Sequence, residues 1–419
     1  YTLRQCIDYA ISHNITVRQS ANNVEQSAVD ISTAKWARLP NLNGSAGQNW
    51  RWGRNSVTET DKDGNQYQVY KNTYNYGTNA SLSTEIPLFT GFELPNQYAL
   101  AKLNFKAAIA DLEKAKEDIA IQVASAYLKV LLTQELKQVA INQVELSKEQ
   151  SNRIARLFEV GKASPSEVAE AKARVAQDEL SVTQSDNDYQ LALLDLSQLL
   201  ELSNPHLLSI QKADTTFVTT LLTPPDEIYQ YALTNKPEIQ AAQYRLLGSE
   251  KSIRIAQSGF YPKLNLGGNW GTGFSSDLKN NFGTQMRENR NKSIAFSLSV
   301  PLFNRFATRN RVRTARLQHF NQNLKLDNAK KVLYKEIQQA WYNALAAESK
   351  YNSSEVAVKA NEESFRLMSE KFNNGKATFV EYNEAKLNLT KSLSDKLQSK
   401  YEYLFRTKIL DFYKGQVIE

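Results

Sequence analysis

Alternation of apolar and polar positions is the clearest pattern in the chain. Over 74–88, Tyr74, Tyr76, Thr78, Ala80, Leu82, Thr84, Ile86 and Leu88 share one face. Asn75, Gly77, Asn79, Ser81, Ser83 and Glu85 share the other. Period two predicts a strand with one apolar and one small polar face. Residues 264–274 set Leu264, Leu266, Trp270 and Phe274 against Asn265, Gly267, Asn269, Gly271 and Gly273. Residues 294–302 alternate Ile294, Phe296, Leu298, Val300 and Leu302 with Ala295, Ser297, Ser299 and Pro301. The segment 42–52 is weaker, with Leu42, Ala46, Trp50 and Trp52 on one face. The stretches between, 53–72 and 275–292, read as long polar loops.

A different period governs the rest. Ile109, Leu112, Ile119, Val123, Ala126 and Val130 recur at steps of three, four and seven, as do Leu326, Ala329, Leu333, Ile337, Ala340 and Ala344 at threes and fours. Spacing near 3.5 is the seam of supercoiled helices. Neither segment, about 95–160 or about 305–374, contains proline after its start. Sixty-six helical residues span roughly 100 Å. Each long helix is followed by a reversal at Gly161 or Gly375 and a shorter return helix, about 166–202 and 379–414. A helical segment opens each half, about 3–39 and 226–258.

The halves are copies. Phe158-Glu159-Val160-Gly161-Lys162-Ala163-Ser164 returns 214 residues later as Phe372-Asn373-Asn374-Gly375-Lys376-Ala377-Thr378. At the same offset Glu167 matches Glu381, Glu170 matches Glu384 and Lys172 matches Lys386. Pro87-Leu88-Phe89 matches Pro301-Leu302-Phe303, ending the second strand of each hairpin. Nearer the start the offset is 222, as for Pro40 and Pro262. The surplus residues of the first copy fall around Asp61-Lys62-Asp63-Gly64-Asn65. The copies are 1–223, with a β-hairpin at about 41–89 and helices at about 95–202, and 224–419, with a β-hairpin at about 263–303 and helices at about 305–414.

Composition narrows the function classes. The 419 residues carry 51 Lys+Arg and 44 Asp+Glu, net +7, with one Cys and three His. Mean hydropathy of −0.51, without an 18-residue apolar run, excludes a membrane-spanning helix. One cysteine excludes an intrachain disulfide framework, and Cys6 reads as a small buried hydrophobe. His13, His206 and His319 are far apart in sequence. No catalytic constellation can be placed, and no metal or cofactor is expected. Gly161-Lys162-Ala163-Ser164 lacks the earlier glycine of a phosphate-binding loop, since position 156 is Arg156. Basic residues are interspersed with acids, so no nucleic-acid partner is expected. The chain starts inside an amphipathic pattern, so it is either cytosolic or numbered after removal of a leader.

Four strands cannot close a barrel, and their apolar face needs a hydrophobic partner. Two readings satisfy it. The face covers the protein's own helices in a soluble coiled-coil scaffold, or it meets lipid as the wall of a transmembrane barrel completed by several chains. Trp50, Trp52, Tyr74, Tyr76 and Trp270 lie near the loop ends of the strands, as membrane-interface aromatics do, which favours lipid.

The tandem units of helix, β-hairpin and helical hairpin resemble the TolC-type outer-membrane efflux and secretion ducts. Carrying the resemblance are Pro87 and Pro301, the strand starts Leu39-Pro40-Asn41-Leu42 and Tyr261-Pro262-Lys263-Leu264, and the two glycine reversals, in the same order in both copies. The resemblance implies a mainly α fold with a transmembrane β-barrel contribution: a homotrimer with a 12-stranded barrel in the bacterial outer membrane, an α-helical tunnel in the periplasm, and a signal peptide already removed. It implies a passive exit duct for a tripartite efflux pump or type I secretion system, with an inner-membrane transporter and a periplasmic adaptor as partners. Adaptor-contact tips would be Phe158, Gly161, Ala163, Ser164, Phe372, Gly375, Ala377 and Thr378. Glu381 and Glu384 match two aspartates of the family's periplasmic constriction, with Glu167 and Glu170 as first-copy equivalents, and would form acidic rings.

Overall fold

The computed structural model describes residues 1–204, 208–211 and 222–416. His206 lies outside them. In chain order the elements are α1 (Leu3–His13), α2 (Ile15–Trp36), β1 (Asn43–Thr60), β2 (Gln66–Phe89), α3 (Glu93–Glu159), α4 (Pro165–Leu199), α5 (Pro225–Asn235), α6 (Pro237–Gln257), β3 (Lys263–Ser275), α7 (Phe282–Glu288), β4 (Asn291–Ser299), α8 (Ala307–Asn373) and α9 (Phe379–Tyr413). Both α3 and α8 run for 67 residues, and both α4 and α9 for 35. No described helix is long and apolar enough to cross a membrane.

Each opening helical segment is two helices rather than the single one expected. The break falls at Asn14 and Lys236, 222 residues apart, both with extended backbone (ψ 132° and 128°). In the second copy Pro237 disfavours an α conformation at Lys236. In the first, Asn14 does the same work by capping: its side-chain oxygen accepts from Thr16 N–H at 2.9 Å, and its amide donates to the Leu199 carbonyl at 3.1 Å.

The strands form one antiparallel sheet in the order β1-β2-β3-β4. Three strand ends differ from expectation. β1 and β2 extend through the supposed loop 53–72, pairing from Asn43↔Ser83 to Thr60↔Gln66. Polar residues there are mixed with Val57, Tyr67, Val69 and Tyr70 on both faces, so hydropathy alternation is silent. The ladder is held instead by cross-strand pairs such as Asn55 to Thr73 at 2.8 Å and an ion pair between Lys71 and Glu59. The turn is only Asp61–Asn65, where Asp61 Oδ1 accepts from the N–H groups of Asp63 and Asn65. The loop 275–292 contains α7. β4 stops at Ser299, short of Pro301, whereas in the first copy Pro87-Leu88-Phe89 lies within β2. β4 ends two residues before a position that has no N–H to give.

The chain divides into two compact units that cut across the sequence copies. One comprises Tyr1–Glu25, Lys106–Tyr244 and Leu324–Glu419. Its core joins Cys6 and Ala10 of α1, Val123, Tyr127 and Val130 of α3, and Leu196 of α4. Cys6 is fully buried, and burial pushes its thiol up to about 11. Of the seam residues, Ile119, Val123, Val130, Leu326, Leu333, Ile337, Ala340 and Ala344 are buried, while Ile109 is exposed. The other unit comprises Gln26–Phe105 and Arg245–Asn323 and holds the whole sheet.

Candidate functional site

Strand register decides what each face of the sheet can do. Trp50 opposes Tyr76, Trp52 opposes Tyr74, Leu82 opposes Trp270, Ile86 opposes Leu266, and Leu264 and Leu266 oppose Leu298 and Phe296. These apolar positions meet one another across the ladder, Ile294 and Phe274 fall on the same side opposite Gly268 and Thr78, and the four strands present one apolar face. That face is bare. Ile294, Phe296 and Leu298 are 80%, 70% and 66% exposed, and Leu42, Trp50, Trp52, Tyr74 and Leu82 are exposed as well. It does not cover the protein's own helices, so the soluble-scaffold reading loses its hydrophobic partner. A bare apolar face of this extent marks a surface that meets lipid or protein.

The opposite face is a carpet of small polar groups. Asn43 and Ser45 oppose Ser83 and Ser81, Asn49 opposes Gly77, Ser83 opposes Asn269, and Asn265 and Asn269 oppose Ser297 and Ser293. Glu85 is tied down by Asn265, whose amide donates to it at 2.7 Å. Such a face suits water rather than a packed core.

Aromatic rings gather at both ends of the apolar face. Trp52 stacks near Tyr74 with centroids 6.5 Å apart, Tyr74 lies 6.1 Å from Tyr76, and Tyr76 lies 5.7 Å from Phe274. Phe274 in turn meets Phe282 of α7 at 5.2 Å. Trp50 pairs with Tyr76, but Trp270 sits apart between Leu82 and Lys292. Sequence reading missed Phe274 as an interface aromatic, although it lay on the expected face, and Phe282, which lay in the supposed loop. At the other end Phe89 meets Phe92 at 5.3 Å, Phe92 meets Tyr261 at 5.9 Å, and Phe303 meets Phe306 at 5.5 Å. Between Tyr76 and Phe89 the strand runs thirteen residues, about 30 Å of membrane at a tilt of about 45°.

The helix reversals are built alike in both copies. Gly161 and Gly375 are left-handed, at φ +74° and +70°. Gly161 N–H donates to the Phe158 carbonyl at 2.9 Å and Lys162 N–H to the Leu157 carbonyl at 2.8 Å. Gly375 and Lys376 repeat this toward Phe372 and Lys371, at 3.1 and 2.8 Å. This is the Schellman ending, which only glycine enters without strain. Two residues on, Ser164 and Thr378 cap the return helices, and their hydroxyls accept from the N–H groups of Glu167 and Glu381.

The glutamates at the reversals divide into two kinds. Glu381 Oε2 accepts from the N–H and hydroxyl of Thr378 at 2.7 and 2.8 Å, and Glu167 does the same from Ser164 at 2.7 and 2.9 Å. These are reciprocal capping boxes, a signal present in the sequence as Ser/Thr-x-x-Glu. Donation from those backbone N–H groups holds both carboxyls below their ordinary range. Glu170 and Glu384 are exposed on the next turn and take no part in the caps.

The paired tips are not equivalent in packing. Phe372 packs on Phe379 and Tyr382, with centroids 6.2 and 5.0 Å away, and Arg153 lies over its ring and donates to Asn373. Phe158, its first-copy counterpart, is 45% exposed. Ala163 and Ala377 are half-buried, and the space around both glycines is open. Elsewhere His13 stacks on Tyr9 and His319 bonds Ser249, so the described histidines do not converge.

Relatives carry the same organisation. The sequence profile of the outer membrane efflux protein family matches residues 6–201 and 228–415, one match to each copy. The outer membrane efflux protein BepC of Brucella suis is 21% identical over 359 residues, covering 86% of this chain and 73% of its own. Outer membrane protein TolC of Escherichia coli is 22% identical over 412 residues, covering 96% of this chain and 80% of its own. The CmeC outer membrane channel of Campylobacter jejuni superposes with a TM-score of 0.82 at 18% identity, over 99% of this chain and 85% of CmeC. Two copies of strand pair and helical hairpin, an exposed apolar sheet face, and a family profile spanning both copies lead to one assignment: the chain belongs to the outer membrane efflux protein family.

Proposed function

We propose that three copies of the chain close their sheets edge to edge, β4 of one against β1 of the next, into a 12-stranded barrel. Through it the protein acts as a passive exit duct from periplasm to exterior. The observation that carries this reading is the sheet itself. It has an exposed apolar face, a water-compatible face of Asn, Ser and Gly, and two unpaired edges, β1 and β4. An open edge with a bare apolar face is unstable in water, and closure within lipid removes both liabilities. Domains follow the sequence copies in this reading, each supplying one hairpin to the barrel and one helical hairpin to the tunnel.

In the same reading the tips are where a periplasmic adaptor of a tripartite pump or type I system docks, with an inner-membrane transporter supplying the energy. Phe158 supports this as an exposed aromatic beside an open glycine turn. Glu384 and Glu170 are the better candidates for an acidic constriction, because Glu381 and Glu167 already serve as caps. Trp50, Trp52, Tyr74, Tyr76 and Trp270 would sit at the outer membrane interface.

Planar-bilayer recording tests both levels. Wild type is expected to insert and give a small cation-selective conductance. Glu384→Gln should enlarge it or lower its selectivity. Conductance untouched by Glu384→Gln would discard the ring and keep the duct. A protein that stays soluble without detergent and never inserts would discard the duct.

A further inference from the structure

Acid and base are interspersed through most of the chain, but not everywhere. From Asn289 to Leu326 there is no Asp or Glu, while Arg290, Lys292, Arg305, Arg309, Arg311, Arg313, Arg316 and Lys325 fall inside that stretch. Four of these arginines open α8, whose first turn contains no acidic residue. A helix N-terminus carries partial positive charge over its first turn, so Arg309 works against the local field, and Arg311, Arg313 and Arg316 follow it with no acid to balance them. The corresponding start of α3 has Glu93 and no arginine. A local rule broken in one copy and kept in the other marks a use beyond folding.

The geometry shows which way the arginines turn. Thr308, Val312 and Ala315 form the buried stripe of α8, with Val312 and Ala315 against Ala256. One residue further round, Arg309, Arg313 and Arg316 form an exposed stripe with i, i+4, i+7 spacing. None has an ion-pair partner among the described residues. The Arg309 guanidinium lies 5.9 Å from the Phe306 ring, which meets Phe303 edge-on at 5.5 Å. Phe303 follows Leu302, which continues the lipid-side alternation of Ile294, Phe296 and Leu298 and is 92% exposed. Arg305 and Phe306 are both left-handed, at φ +54° and +60°. Non-glycine residues pay strain to hold that conformation, and here it forms the elbow between sheet and helix. The stripe thus starts where the apolar face stops.

We propose that Arg309, Arg313 and Arg316 form a collar that binds the headgroups of anionic phospholipids in the inner leaflet. This rests on the membrane reading of the sheet. The stripe is about 10 Å long, within about a Debye length of the surface, and each arginine so placed attracts anionic lipid. Phe303 and Phe306 seat the sheet end at the interface, and the stripe fixes its depth and rotation there.

The test is the lipid preference of the reconstituted protein, read with spin-labelled phosphatidylglycerol against spin-labelled phosphatidylcholine. Wild type should favour phosphatidylglycerol about fivefold, falling toward parity at high salt. The triple variant R309Q/R313Q/R316Q should show parity at all salt concentrations, and R309K/R313K/R316K should keep the preference. Parity in wild type, or a preference unchanged in the glutamine variant, overturns the collar while insertion and conductance still uphold the duct. A glutamine variant with altered ion selectivity and unaltered lipid preference would place the arginines in the pore and overturn it too. So would loss of the preference on adding millimolar inorganic phosphate at constant ionic strength.

Discussion

The ammonium of Lys386 on α9 lies 3.4 Å from the carboxylate of Asp178 on α4, with side chains 2% and 6% exposed. Ser147 of α3 donates to the same carboxylate and accepts from Lys386, and Arg174 meets its other oxygen at 3.3 Å. Lys386 also donates to the Gln143 carbonyl at 3.2 Å. Burial pushes the Lys386 ammonium down from its ordinary value, and Asp178 opposes that shift. Lys172, at the equivalent place in the first copy, is exposed. One position repeated in sequence is a solvated charge in one copy and a tie between copies in the other.

Removing both partners of this tie should hurt less than the two single removals added together. Asp178→Leu leaves a buried ammonium with too few acceptors, a loss of about 3–5 kcal/mol, and Lys386→Met leaves the Asp178 carboxylate to Ser147 and Arg174. Asp178→Leu combined with Lys386→Met should cost clearly less than the sum of the singles, with a coupling of about 0.5–3 kcal/mol. Thermal or denaturant midpoints of the four proteins in detergent measure it. Additive losses would mean the pair acts as two independent packed residues.

How much of this was legible beforehand depended on whether hydropathy carried the signal. The sheet faces and coiled-coil seams were readable because each apolar residue had a periodic partner, as Leu82 does with Trp270. The outer half of the first hairpin is not readable, because apolar Val57, Val69, Tyr67 and Tyr70 are mixed with polar residues on both faces there and leave no alternation to read. The break at Lys236 was signalled by Pro237, while the break at Asn14 had only an asparagine to announce it. Glu381 and Glu167 read as plain charges in the helix pattern, and the structure shows them as the far members of capping boxes that the Ser/Thr-x-x-Glu spacing encodes. The Lys386–Asp178 tie joins residues 208 apart, and nothing local in either segment points to the other.

The two glutamates at each tip should separate by pH. The folded Glu381 and Glu167 carboxyls sit below 4.5, so the caps are fully in place above that value and are lost as pH falls through the lowered folded value. Protection of the Thr378 and Ser164 amides, taken relative to the intrinsic exchange rate at each pH, should therefore fall in acid before the bodies of α9 and α4 loosen. Glu381→Gln should lower it at neutral pH as well, and Thr378→Ala should cost about 1 kcal/mol. Glu384→Gln should leave exchange unchanged, so that any effect on conductance belongs to the pore and not to the cap.

Left-handed glycines are not interchangeable. Alanine at Gly161 or Gly375 meets open space, so the loss is the backbone penalty alone, about 1–2 kcal/mol. At Gly91, φ +64°, an added Cβ would stand 2.7 Å from the Ser258 carbonyl oxygen and 2.8 Å from Tyr261 Cβ. Gly91→Ala should lower the melting midpoint well beyond either tip variant. Equal losses at all three would show that the elbow between β2 and α3 can shift to make room.

The connection between β3 and β4 hangs on one buried amide. Gln285 is 1% exposed, and its side chain accepts from Ser275 N–H at 2.9 Å while donating to the carbonyls of Ser275 at 3.0 Å and Asn280 at 2.7 Å. These bonds clasp residues 275–285 into a closed loop, with Phe282 of the same α7 set against Phe274. Gln285→Leu keeps much of the volume and removes every bond, leaving a buried N–H and carbonyls unpaired at about 1–3 kcal/mol each. Because the clasp serves only this loop, the loss should appear as local opening rather than global melting. Protease applied to the folded protein should cut within 276–290 much faster in the variant, while the overall melting midpoint moves little. Unchanged cleavage would mean that the Phe274–Phe282 contact, not Gln285, holds the loop down.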